Sequence, residues 1–396
     1  MSIKIESLNL IVKFCNEKKS FKTQMLKAAH LTSVHPRFDT RIFLKECCSL
    51  ASAGYQVSLV VADGKGGEVK ESVAISDVGA SRGRVDRMIN VTKRMFEKAK
   101  ELDSDIYHLH DPELIPSGLK LKRLGKKVIF DAHEDAPKQL LAKPYLNPTL
   151  LRLIASALSV YEHYACSKLD GIITATPFIR DKFLKVNPNT LDINNFPLIA
   201  EFDSAVPWAD KHNEVCYVGG ITAIRGICEV VQACEMLKSS TQLNLVGNFV
   251  ESEVEATVKS YSGWCKVNEM GFLDRQGVRT VLGRSLAGLV TFLPQTNHIN
   301  AQPNKMFEYM SSSIPVIASN FQLWCEIVEG NECGLCVDPL DPKAIAQAID
   351  YIVRNPDIAS SMGKNGRQAV LNKYNWAIEE QKLLNFYSQI IEKEAQ

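Results

Sequence analysis

Short, almost uninterrupted apolar runs alternate along this chain with longer segments whose apolar residues recur every three or four positions. The first pattern predicts buried parallel strands and the second amphipathic helices. In the first half, strands are expected over 26–32, 57–62, 106–109, 128–130, 171–174 and 191–194. Helices are expected between them over 40–53, 85–102, 114–124, 149–168 and 177–185. Asn195-Phe196-Pro197 leaves the last of these strands, and the polar, proline-bearing stretch 202–211 reads as a linker. The alternation then restarts, with strands over 214–218, 243–246, 266–268, 288–292 and 314–318. Helices over 227–237, 251–261 and 276–283, and one opened by Pro303, separate them. Helices over 342–353, 358–371 and 376–392 finish the chain, the first broken off at Pro356. Strand–helix alternation of this kind makes doubly wound α/β layers, and two sets of it predict two domains. Residues 1–24 fit no period and read as an extension ahead of the first domain.

Composition narrows the class. A chain of 396 residues with 45% hydrophobic and 23% charged residues is ordinary globular material, too long for one compact core. A formal net charge of +1 gives no bulk claim on nucleic acid, so nucleic acid is not an expected partner. No run approaches a membrane span, and the N-terminal twenty residues make a poor signal peptide because Glu6 and Asn9 interrupt the apolar part. Eleven cysteines without framework spacing fit a reducing, cytoplasmic setting. Cys333 and Cys336 make a lone C-x2-C, with no further zinc ligand nearby in sequence. The segment 149–168 is apolar nearly all round; a membrane surface is one use for it, but its sparse charge favours packing between domains.

Candidate chemistry gathers at strand exits, where open α/β sheets bind ligands. His110-Asp111 ends one strand, Asp131-Ala132-His133-Glu134 the next, and His35 stands at a third exit. A histidine such as His133 can orient a substrate hydroxyl or stabilise charge; helix capping by the aspartates is the plainer alternative. No G-x-G-x-x-G follows the first strand, which disfavours a dinucleotide cofactor. After the strand 214–218, Gly219-Gly220 permits close backbone approach, and Arg225 near a helix start suits a phosphate. The stretch 297–339 adds Lys305 and Glu308 on the helix opened by Pro303, and Ser319-Asn320 at the exit of the run IPVIA. A lysine, a carboxylate and a polar strand exit around one crevice point to an anionic ligand with hydroxyls, although a solvated Lys-Glu helix face would look the same.

Taken in order, these segments resemble the retaining nucleotide-sugar glycosyltransferases of the type-4 group, which have the GT-B fold. YVGGITAIRG is similar to that family's V-G-R-x-x-x-K-G, with Arg225 in place of its lysine and Gly220 in place of its arginine. The family's pair of glutamates, seven residues between, falls on Asn300 and Glu308. SIPVIASN resembles its strand and loop, and Glu326-Ile327-Val328, Gly334 and Asp338-Pro339 continue the pattern. TSVHPRFDTRI, HLHDPEL and FDAHE resemble a bacterial branch engaged in surface polysaccharide assembly, and the last helix with Trp376 resembles the segment that crosses back to the first domain.

The resemblance implies two Rossmann-like domains facing a cleft. The acceptor side would be 25–200 and the nucleotide-sugar side 212–373, with a helix over 374–396 returning to the first. It implies a nucleoside-diphosphate sugar as donor, a glycan or lipid-linked glycan of O-antigen, capsule or exopolysaccharide assembly as acceptor, and neither cofactor nor metal. It places the protein in the cytoplasm, with peripheral contact to the inner membrane. Gly219, Gly220, Arg225, Asn300, Asn304, Lys305, Glu308 and Ser319 would hold the donor, and His133, Arg225, Lys305 and Glu308 would carry the chemistry. Asn300 lacks a glutamate's charge and Gly220 lacks a guanidinium. These departures keep two other readings open: a nucleotide-sugar epimerase of similar fold, and a catalytically degenerate binding subunit.

Overall fold

A computed structural model describes residues 25–141, 147–202 and 206–392. The expected N-terminal extension therefore lies outside the described residues, as does part of the linker. The chain divides into two compact units that part between residues 129 and 130, and its described residues form two sheets.

The first sheet holds β1 (Lys27–Leu31), β2 (Gln56–Val61), β3 (Glu68–Lys70), β4 (Val73–Asp77), β5 (Ile106–Leu109), β6 (Lys127–Ala132), β7 (Gly171–Thr174) and β8 (Thr190–Asp192), in the order 3-4-2-1-5-6-7-8. The second holds β9 (Glu214–Val218), β10 (Gln242–Val246), β11 (Val267–Gly271), β12 (Ala287–Val290), β13 (Val316–Ser319) and β14 (Gly334–Val337), in the order 11-10-9-12-13-14. Both are Rossmann-like, with the central strands parallel: Tyr217 faces Leu245 across β9–β10, and Leu289 faces Ile317 across β12–β13. These are the two doubly wound sheets expected of a GT-B protein.

The hydrophobic pattern explains why both faces of the second sheet are covered. Cys216 and Val218 enter one core, with Met306, Phe307 and Trp324, while Val215 and Tyr217 enter another, with Ile227, Val230 and Ile349. Alternate residues of a strand point to opposite faces, so a strand that is apolar throughout needs helices on both. Polar residues do appear inside β9 and β10, as Glu214 and Asn244, and they satisfy each other: Asn244 Nδ2 donates to Glu214 Oε2 at 2.7 Å.

Three differences from the expected elements have local causes. The hairpin β3–β4 was not anticipated, because its turn carries neither glycine nor proline; Glu71 and Ser72 both take positive φ, at 48° and 62°. The helix expected as one piece over 40–53 opens as a π-helical segment, Thr40–Cys47, before an α-helical Cys48–Ser52. Asp39 caps it, accepting from the backbone N–H of Arg41 and Ile42. The third correction concerns the long helix, Pro148–Cys166. It does not bury itself as an all-round core helix: Leu153, Val160 and Tyr164 are 66%, 71% and 61% exposed, and Leu150 and Ile154 are exposed as well. No helix among the described residues is long and apolar enough to cross a membrane.

The last helix, Trp376–Glu392, meets the segment that follows β8. The Trp376 N–H donates to the Pro197 carbonyl at 2.9 Å, and the Asn194 N–H donates to Glu379 Oε2 at 2.9 Å. Phe196 packs against both Phe307 and Tyr374, with ring centroids 4.8 and 5.4 Å away.

Candidate functional site

The glycine turn, the loop before the helix Asn304–Ser311 and the end of β12 converge on one place. At the exit of β9 the chain turns through Gly219 at φ 115°, and a Cβ added there would stand 3.3 Å from Lys305 Nζ. The absent side chain leaves the ammonium room against the turn. Gly220 contributes its carbonyl, which accepts from Arg225 Nη1 at 3.1 Å. A short 3-10 turn, Ala223–Arg225, then reaches Gly226 at φ 77°, where a Cβ would fall 2.0 Å from the Thr291 carbonyl oxygen. Only glycine can start the helix Ile227–Met236 so close to β12.

Lys305 is on the second residue of the helix Asn304–Ser311, whose N-cap is Pro303. Its Nζ stands 4.0 Å over the Tyr217 ring and 5.2 Å from the centre of Phe292. Arg225 lies against the same phenylalanine, its guanidinium carbon 5.5 Å from the ring centre. Among the described residues the Lys305 ammonium has no hydrogen-bond partner, although its side chain is buried. Burial, helped by the nearby positive charge of Arg225, lowers its pKa from the ordinary 10.5 to about 7. The face of an aromatic ring offsets only a fraction of the cost of desolvating an ammonium. A buried cation without an anionic partner, beside a second cation and the free N–H groups of a helix start, is the arrangement that anions bind.

Glu308, one turn further along the helix, is partly buried and accepts from Arg275 Nη1 at 3.0 Å. Arg275 also pairs with Glu201. Asn300 is half-buried in the loop, and Asn304 is exposed as the first residue of the helix. Ser319 is placed differently from a ligand-facing hydroxyl: it is fully buried and donates to the Phe292 carbonyl at 2.7 Å. What it holds is the backbone of Phe292, the residue whose ring lies against Lys305 and Arg225. The structure thus brings Gly219, Gly220, Arg225 and Lys305 together, while Glu308 sits on the same helix with its own ion pair.

His133 has a separate setting. Its Nε2 is 2.9 Å from Oδ2 of the fully buried Asp131, two residues earlier at the end of β6. A carboxylate of this kind fixes the tautomer and orientation of an imidazole. The other strand exits hold fewer offered groups than expected. Asp111 accepts from Thr32 Oγ1, Ser33 N–H and Ser33 Oγ at 2.9, 2.6 and 3.2 Å, and so braces the loop after β1. His110 does not project from its exit but is buried beside His30 and His108.

Sequence reasoning missed His298, Arg275, Tyr217 and Phe292. His298 packs on Phe292 at 5.0 Å with Nδ1 3.1 Å from the Leu293 carbonyl; burial lowers its pKa, with Arg225 adding to the effect. Arg275 carried a readable signal, because a cation at the first position of a helix opposes the macrodipole and calls for another use. The aromatic residues carried none, since apolar residues in strands are ordinary core. The lone C-x2-C does not close a chelate either: Cys333 is buried and donates to the Val328 carbonyl, while Cys336 meets Cys325 and Glu329.

Comparison with known proteins fits this architecture. Residues 199–369 match the family described as glycosyl transferases group 1, and residues 41–192 match glycosyltransferase family 4. A capsular polysaccharide biosynthesis glycosyltransferase, CapM, of Staphylococcus aureus is 26% identical over 186 residues, 45% of this chain and 46% of that protein. Two solved structures share the fold. Sucrose-phosphate synthase from Thermosynechococcus elongatus has a TM-score of 0.75 and 19% identity, covering 92% of this chain and 99% of that one. Anabaena HepE in complex with UDP-glucose has a TM-score of 0.70 and 13% identity, covering 92% of this chain and 100% of that one. The chain spans between 46% and 66% of the length of the curated relatives it matches.

Proposed function

We propose that this chain, a GT-B-fold glycosyltransferase related to the group 1 and family 4 enzymes, moves a sugar from a nucleoside-diphosphate donor to a glycan or lipid-linked glycan acceptor of surface polysaccharide. The observation that carries the proposal is Lys305, a buried ammonium without a hydrogen-bond partner among the described residues, set between Tyr217, Gly219 and Arg225. A diphosphate is the ligand that would meet this cation, the Arg225 guanidinium and the first N–H groups of the helix Asn304–Ser311 at once.

In this reading the diphosphate departs toward Arg225 and Lys305, whose charge offsets the negative charge that develops in the transition state. Glu308 accepts hydroxyl hydrogens from the nucleotide ribose, exchanging its partner Arg275 for the donor. Asn300 bonds hydroxyls of the transferred sugar, and His133, held by Asp131, meets the sugar and acceptor. The reaction retains anomeric configuration and needs no divalent ion at the diphosphate, since two cationic side chains and a helix start supply the charge. The acceptor docks on the domain formed by residues 25–200, and the donor on that formed by residues 212–373. The exposed apolar face of the helix Pro148–Cys166 supports peripheral contact with a membrane carrying the acceptor.

The test is a melting-shift panel of nucleoside diphosphates and their sugars, UDP-glucose first, because it occupies a structural relative. Calorimetry of Arg225→Ala and Lys305→Ala with the ligand found then checks the site. No shift with any donor, or unchanged affinity in both variants, refutes the assignment. A shift without turnover on any acceptor would instead favour the binding subunit.

A further inference from the structure

Away from the diphosphate site, three histidines and a glutamate are buried together in the first unit. His30 is on β1 and His108 stands opposite it on β5 in the parallel register. His110 follows two residues later, so strand alternation directs it to the same face of the sheet as His108. The fourth member, Glu46, comes from the π-helical segment Thr40–Cys47. All four residues are at most 2% exposed.

The contact atoms converge on one carboxylate oxygen. Glu46 Oε2 lies 3.8 Å from His30 Nδ1, 3.9 Å from His108 Nδ1 and 3.9 Å from His110 Nε2. His30 Nδ1 and His110 Nε2 are 2.9 Å apart. The other oxygen, Oε1, faces Arg41 Nε at 3.1 Å. One ligand atom from each of the four side chains lies within 4.8 Å of all the others.

We propose that His30, Glu46, His108 and His110 form a closed, four-coordinate site for a divalent transition metal of the zinc class. Bonds of roughly 2.0–2.1 Å in a tetrahedron place ligand atoms about 3.3–3.4 Å apart. The separations of 2.9, 3.8, 3.9 and 3.9 Å lie on both sides of that edge, so small side-chain shifts suffice to admit an ion. Three imidazoles with one carboxylate suit zinc and its neighbours and not the oxygen-seeking magnesium or calcium. Arg41 plays the part of an outer partner, holding the distal oxygen so that Oε2 points inward. The π-helical geometry of the Glu46 segment fits a side chain turned toward a site. With four protein ligands no position is left for substrate, so the ion would fasten β1 and β5 to the segment Thr40–Cys47 and take no part in transfer.

The experiment measures metal in tag-free protein purified from cells grown with added Zn²⁺ and dialysed against a chelator. Elemental analysis should find about one zinc per chain, falling to near zero in His108→Gln and Glu46→Gln. A Cys325→Ser/Cys336→Ser double variant should keep the ion. Protein grown with Co²⁺ should show the visible bands of a tetrahedral site without thiolate-to-metal charge transfer. This readout needs only the wild-type chain if the histidine variants fail to fold. Wild-type protein without stoichiometric metal overturns the proposal. So does an ion that both variants retain, one lost with the cysteines, or a thiolate band in the cobalt spectrum.

Discussion

The Lys305 ammonium makes a quantitative prediction about protons. In the ligand-free protein burial lowers its pKa to about 7, whereas an exposed lysine titrates near 10.5. A diphosphate beside it removes most of the cost of carrying charge and returns the pKa toward the ordinary value. Binding a nucleotide sugar must therefore draw a proton from solution wherever free Lys305 is neutral and bound Lys305 is charged. With a free pKa of about 7, the expected uptake is about 0.9 proton near pH 8 and about 0.1 near pH 6. By linkage, donor affinity should fall about 5-fold from pH 7 to 8, and nearly 10-fold over the next unit. Titration calorimetry in two buffers of different ionisation enthalpy measures the uptake directly. A nucleotide sugar is the right ligand because its esterified diphosphate does not titrate near neutrality. Lys305→Met should bind weakly, without uptake and with a flat pH profile. The stability of the ligand-free protein runs the opposite way with pH. Because the folded pKa lies below the unfolded one, the penalty is fully present below about pH 7 and fades as pH rises toward 10.5, so the ligand-free protein gains up to about 1.4 kcal/mol per unit. Uptake near zero at pH 8, or equal in the variant, would refute the placement of a diphosphate at Lys305.

Four further outcomes are expected. Arg225→Ala should weaken nucleoside-diphosphate binding by about 1.5–3 kcal/mol, the worth of a charge-assisted hydrogen bond, measured by calorimetry. Transfer should survive brief chelation by EDTA, since the cations at the diphosphate are side chains; a loss of turnover restored by Mg²⁺ or Mn²⁺ would contradict this. Leu153→Gln with Val160→Gln should reduce co-sedimentation with anionic vesicles while leaving thermal stability nearly unchanged, because both side chains are exposed. Glu308→Gln should act mainly on donor KM, and His133→Ala mainly on kcat, in steady-state kinetics with the donor varied at saturating acceptor.

The strands and helices were legible because they are buried on repeating patterns. β5, β7 and β9 occupy the residues expected of them, since an apolar run bounded by polar residues has little freedom in an α/β layer. The hairpin β3–β4 was not legible, because β3 is exposed throughout and its turn uses glutamate and serine at positive φ. The π-helical start of the segment after Asp39 was equally hidden: it changes the phase of one turn, which hydrophobic spacing over fourteen residues averages away. The long helix misled for another reason. Apolar residues all round a helix say that something covers it, but a membrane, a ligand and a second domain leave the same composition.

The site was legible where a residue type is costly in its surroundings, and illegible where it is not. Gly219 stands out as part of a glycine pair at a strand exit, and Lys305 because a charged residue interrupts an otherwise buried helix face. Ser319 looked like a ligand group for the right reason, its place at a strand exit, yet buried hydroxyls take the nearest carbonyl, and Phe292 supplies one. The pair of Glu308 with Arg275 could not be inferred from spacing, because 33 positions and the strand β12 separate them in the chain. That pair has a consequence for the reaction. If Glu308 meets the donor ribose as proposed, a carboxylate so close to the diphosphate would repel the donor, and Arg275, itself shared with Glu201, would offset that charge. Arg275→Ala should therefore weaken donor binding more than Glu308→Gln does, since it leaves a bare carboxylate beside the incoming anion. The double variant should recover part of the loss. If the two losses simply add, the ion pair is a surface contact and Glu308 acts on the donor without it.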